Sequence, residues 1–156
     1  MNITNAENNK YNNLICHFLN ECDEVSFQLP GVDSNGLPLT DLFWRTYHNK
    51  TQRFMQDCLK HGGKKTCSNY YQGMKLGQYS LIINVKLFST LKQMIMNTHL
   101  FEWLAHNGLP EDICLYANKT LRIFTCSHES DFFICNENKD DIKFLSDNQF
   151  EYRIIK

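Results

Sequence analysis

Leu14, Ile15, Phe18, Leu19 and Cys22 recur at helical spacing, which predicts a short amphipathic helix over residues 8–21 with Leu14, Phe18 and Cys22 facing inward. The period then shortens. Val25, Phe27 and Leu29 alternate with polar neighbours, as in a half-buried strand, and Pro30-Gly31 with Ser34-Asn35-Gly36 reads as loop. A second helix is expected from residue 41, with Thr40 as N-cap, Phe43, Tyr47, Phe54 and Cys58 on one stripe, and Gly62-Gly63 as the stop. Residues 64–78 are polar and punctuated by glycine, and read as a connecting loop. The run Leu81-Ile82-Ile83-Asn84-Val85 has β-branched character, yet Leu87, Leu91, Met94, Ile95 and Leu104 favour a long helix over 79–106. Asn107-Gly108 ends it, with Gly108 where a left-handed cap belongs. Beyond that point the period becomes two: short strands are predicted at 120–126, 131–135, 141–145 and 150–155, joined by polar turns as an antiparallel meander. The expected fold is α+β, a single domain over 1–156, with a helical N-terminal two-thirds packed on a C-terminal antiparallel β-meander.

At 156 residues and 42% apolar composition the chain can bury a core without disulfides or metal, and 13% aromatic content argues against disorder. The longest apolar-rich stretch, 81–104, is broken by Asn84, Lys86, Lys92, Gln93, Asn97, His99 and Glu102, so no membrane span is expected. Residues 1–10 are Asn-rich and lack the charged start and apolar run of a secretion leader, which implies a cytoplasmic protein. The seven cysteines form an odd set with no C-x-x-C pair, consistent with free thiols in a reducing compartment.

Candidate chemistry is scattered. Cys58-x-x-His61 with Cys67 is one group of potential zinc ligands, and Cys126 with His128 on one strand face is another, but each lacks a complete donor set. His99, Glu102 and His106 would share one face of the long helix, a weak acid/base arrangement. Gly62-Gly63-Lys64-Lys65-Thr66 lacks the leading glycine and preceding strand of a phosphate loop. No catalytic residue, metal ligand or cofactor is therefore assigned, and the protein is expected not to be an enzyme. A Cys/His-dependent enzyme is the alternative, discriminated by one unusually reactive thiol.

Charge changes the picture more than motifs do. The net charge is −1, yet residues 42–78 hold seven basic side chains (Arg45, Lys50, Arg53, Lys60, Lys64, Lys65, Lys75) against Asp57 alone. Residues 102–151 hold ten acids against four bases. The basic 45–75 segment, with Trp44, Tyr47, Tyr70 and Tyr71 in or beside it, could serve a nucleic-acid module through phosphate contacts and base stacking. The sequence pI of 6.6 lacks the basic bias of such modules, so nucleic acid is not the expected partner. Clustered carboxylates on hairpin tips instead suit a basic protein surface, where they speed encounter and cover a phosphate-binding cleft.

With a helical N-terminal part, an acidic C-terminal part carrying Asp131-Phe132-Phe133-Ile134 and Asp140-Asp141-Ile142, and 17 asparagines, the chain resembles in type the small immunity proteins encoded beside bacterial polymorphic and contact-dependent growth-inhibition toxins. That resemblance implies stoichiometric inhibition of a cognate toxin, such as a nuclease, through a protein–protein interface. The candidate contacts are Glu129, Asp131, Phe132, Glu137, Asp140, Asp141 and Tyr152.

Overall fold

The structure, a computed structural model, describes residues 1–3 and 8–153, apart from the side chains of 8, 9 and 100. In chain order its elements are β1 (Asn2–Ile3), α1 (Asn8–Glu21), β2 (Glu24–Val32), α2 (Leu42–Lys60), β3 (Lys64–Tyr71), β4 (Met74–Lys86), α3 (Ser89–Asn97), β5 (Glu111–Ala117), β6 (Thr120–Cys126), β7 (Asp131–Ile134), α4 (Lys139–Asp147) and β8 (Tyr152–Arg153). The fold is α+β, but its helices are interspersed with strands. The expected division into a helical N-terminal two-thirds and a C-terminal meander is wrong. Eight strands form one antiparallel sheet in the order β3-β4-β2-β5-β6-β7-β1-β8, so the N-terminal half supplies much of the sheet.

Three segments account for the difference. Residues 64–78, read as loop, form most of a hairpin. Its two-residue turn is Gln72-Gly73, and both residues have positive φ (51° and 79°), the turn geometry whose twist matches that of paired strands. The run 81–85 is strand, because Leu81, Ile83 and Val85 face the core while Ile82 and Asn84 lie on the other side. Only Ser89–Asn97 of the expected long helix is α-helical, and short 3-10 turns at Leu100–Glu102 and Ala105–Asn107 follow, the second closed by Gly108 at φ 74°. Residues 141–145, read as a strand, belong to α4. Asn138 caps that helix, its side chain accepting from the Asp140 and Asp141 amides while Asp141 accepts from the Asn138 amide. This reciprocal cap fixes helix over strand. Strands 120–126 and 131–134 match the expectation closely; of 150–155, Tyr152–Arg153 is strand and 154–155 lie outside the described residues.

Among the described residues, one face of the sheet carries the four α-helices. Leu14, Ile15 and Phe18 of α1, Tyr47 and Cys58 of α2, Leu91 and Ile95 of α3 and Leu145 of α4 share a core with Val25, Phe27, Leu29, Ile113, Leu115, Ile123 and Phe132. The cap of α2 is Asp41 rather than Thr40, with the carboxylate accepting from the Phe43 and Trp44 amides, and Phe43 lies exposed off the buried stripe. Gly31, at φ 82°, is needed because a Cβ there would collide with the Trp44 ring. Among the described residues the opposite face has no helix over it. The tip of the β3–β4 hairpin folds across it instead, burying Tyr71 against Ile82 and Cys114 with Leu76 and Tyr116 alongside. Tyr71 and Tyr116 hydroxyls meet the Ser26 hydroxyl there, and Tyr71 also donates to the Asp112 carbonyl.

Candidate functional site

The strand order converts the charge pattern of the chain into a spatial one. Lys64, Lys65 and Lys75 are exposed on β3 and β4 at one edge, and Arg45, Lys50, Arg53 and Lys60 are exposed on α2. Glu129 and Asp131 sit at the β6–β7 turn, Glu137 and Asp140 follow β7, and Tyr152 is on β8 at the far edge, 37% exposed. Seven strand spacings separate the two edges, on the order of 30 Å. Glu129, Glu137 and Asp140 are exposed. Asp131 is half-buried, accepting a hydrogen bond from the Asn2 side chain at 2.9 Å.

Two of the expected contact residues are placed elsewhere. Phe132 is fully buried in the helix-side core, because its position across from Thr125 points it beneath the helices. Asp141 is also buried and serves the interior. Its carboxylate accepts from Arg122 Nη2 at 2.5 Å and meets His17 Nε2 at 2.9 Å, while Arg122 Nη1 reaches Glu21 at 2.9 Å. Arg122 is on this side because β6 bulges opposite Leu115 and Tyr116. Leu121 and Ile123 take the paired positions, and the extra residue turns toward the helices and lies over Phe18. Both side chains are buried in this fold.

At the other end of β6 the chain gathers Asp112, Cys126 and His128, whose donor atoms all lie within 4.8 Å of one another. Asp112, the second residue of β5, has φ 53°, a left-handed conformation that aspartate tolerates better than most residues. Its carboxylate accepts from the Ser127 amide at 2.8 Å and from the Gln28 side chain. Burial pushes its acid above the ordinary carboxylate range, partly offset by the Ser127 amide. Neighbouring Glu111 is raised for the same reason while accepting from the Ala105 amide. Cys126 Sγ lies 3.8 Å from His128 Nδ1 and 3.7 Å from Nε2, and Glu129 lies 4.0 Å from the same Nε2. Cys126 and His128 were legible from their i, i+2 spacing. Asp112 was not, because the antiparallel β5–β6 register brings it there from 14 residues away.

The other candidate groups disperse. Cys58 is buried, His61 stacks on Phe88 at 3.8 Å between ring centroids, and Cys67 faces the Asp33 and Ser34 carbonyls. His99 and His106 follow the end of α3 and share no helix. The His99 ring packs on Tyr11 at 4.1 Å. Cys126 is poorly suited to act as a nucleophile, since burial, with the Asp112 and Glu129 carboxylates, pushes its thiol up to about 12. The four aromatics read with the basic segment are divided between the interior and the surface. Tyr47 and Tyr71 are buried and Trp44 lies against Gly31, which leaves Tyr70 exposed. Among the described residues no helix is long and apolar enough to cross a membrane. Comparison with protein-family models, curated proteins and solved structures finds no match.

Proposed function

We propose that this protein is an immunity-type inhibitor, a non-enzymatic binder that neutralises a cognate bacterial toxin in the cytoplasm through a stoichiometric interface. The observation that carries the reading is the collection of Glu129, Asp131, Glu137 and Asp140 with Tyr152 on the half of the sheet away from the basic edge. Such a surface steers a basic partner into register and covers the cleft where a nuclease would take phosphates. Tyr152, exposed on an edge strand, is the aromatic anchor of the contact, and its burial on binding slows release.

The test is co-expression with the product of the gene immediately upstream, read by the mass of the complex and by rescue of growth. A one-to-one complex that relieves toxicity is expected. In the purified pair, Glu129→Lys, Asp131→Lys, Glu137→Lys and Asp140→Lys together slow association at least about tenfold and flatten its salt dependence. A rate and salt dependence unchanged by the four reversals, or the absence of both complex and rescue, would overturn the reading.

A further inference from the structure

The geometry points to a zinc-binding site formed by Asp112, Cys126 and His128, joining the start of β5 to the β6–β7 turn. This is independent of the inhibitor reading. For zinc bonds of about 2.0–2.3 Å, the edges of a coordination tetrahedron are about 3.3–3.8 Å long. The Cys126–His128 separations of 3.7 and 3.8 Å already fall in that range. The full set lies within 4.8 Å, and the His128 side chain is 59% exposed.

Two further features fit a cation. Asp112 is only 5% exposed, and the donors that hold it are neutral, the Gln28 side chain and the Ser127 amide. Those bonds fix the carboxylate's orientation and leave lone pairs for a metal, as outer hydrogen bonds do around ligating groups. The donor set is one thiolate, one imidazole and one carboxylate. It suits borderline-soft zinc rather than calcium or magnesium, which take all-oxygen shells. On binding, the Cys126 thiol releases its proton to solvent and the sulfur takes the metal bond. Glu129 is exposed beside the site, its carboxylate 4.0 Å from His128 Nε2. Zinc held there would pin the turn that carries Glu129 and Asp131.

Cobalt(II), titrated into the reduced full-length protein, reads the site directly. One equivalent is expected to give a thiolate-to-cobalt charge-transfer band with intense tetrahedral visible bands, and zinc is expected to bleach both. Cys126→Ser abolishes the charge-transfer band. His128→Ala and Asp112→Asn weaken binding by at least about tenfold, whereas Cys67→Ser, at an exposed cysteine on β3, leaves the spectrum unchanged. Zinc raises the melting temperature of the parent protein and not that of Cys126→Ser. A folded parent protein with no charge-transfer band, or a band that survives Cys126→Ser, would refute the site.

Discussion

Two buried aspartates at opposite ends of β6 are handled in opposite ways. Asp141 is 1% exposed and faces Arg122 and His17, so its charge is matched inside the fold. Asp112 is 5% exposed and faces amide donors, a thiol and an imidazole, and burial raises its acid. The first arrangement ties α1, β6 and α4 together: Glu21 and His17 come from one helix and Asp141 caps the other. The second leaves a carboxylate whose desolvation is incompletely offset. A carboxylate buried beside a cation is a structural tie, whereas one buried among neutral donors and soft ligands is a place for chemistry.

The largest expected effect comes from breaking the matched site. Asp141→Ala leaves the Arg122 guanidinium buried without its closest carboxylate, and should cost about 3–5 kcal/mol in urea unfolding. A loss no greater than that of Asp112→Asn would erase the distinction between the two sites. Replacing both charges tests whether the loss is the orphaned ion rather than the missing contact. Arg122→Met with Asp141→Leu should unfold at higher urea than Asp141→Ala alone, because an apolar pair leaves no guanidinium buried without its closest carboxylate.

At Asp112 the sign reverses. A carboxyl whose acid is raised in the fold binds protons more readily folded than unfolded, so its contribution is present below the ordinary value of 3.8 and is lost as pH rises through the raised value. Asp112→Asn, compared in chelator, should therefore match or exceed the parent by up to about 1 kcal/mol at neutral pH, the difference closing below pH 3.8. Unfolding midpoints across that range decide it, and a large loss at neutral pH with none in acid would contradict the cause assigned. The smallest effect belongs to His17→Gln. With 23% of the His17 side chain exposed, its contact with Asp141 should be worth under about 1 kcal/mol and should weaken with added salt.

Both sites were partly visible in the sequence. In the sequence Asp141 reads with Asp140 as an acidic hairpin tip, because residues 141–145 alternate in hydrophobicity. The competing signal was Asn138 three residues before Asp141, a cap that closes locally and selects helix. Arg122 gave no sign of its role, because a bulge decides which face it takes and bulges arise from pairing with another strand. Cys126 and His128 were readable as neighbours, but Asp112 needed the register. The hairpin of β3 and β4 was missed for a related reason: its exposed strand, from Lys64 to Asn69, is polar on both sides and carries no alternation to read.

By itself the sequence determined the extents of α1, β6 and nearly all of β7, the Gly62-Gly63 stop after α2, and the separation of basic and acidic segments. Helix hydrogen bonds, caps and hairpin turns close within a few residues, so local pattern suffices for them. Tertiary structure alone decided that 81–85 is strand, that Phe132 and Asp141 face inward, and that Asp112 meets Cys126 and His128. Strand hydrogen bonds and side-chain facing are completed by partners far along the chain, and only the assembled sheet specifies which partners those are.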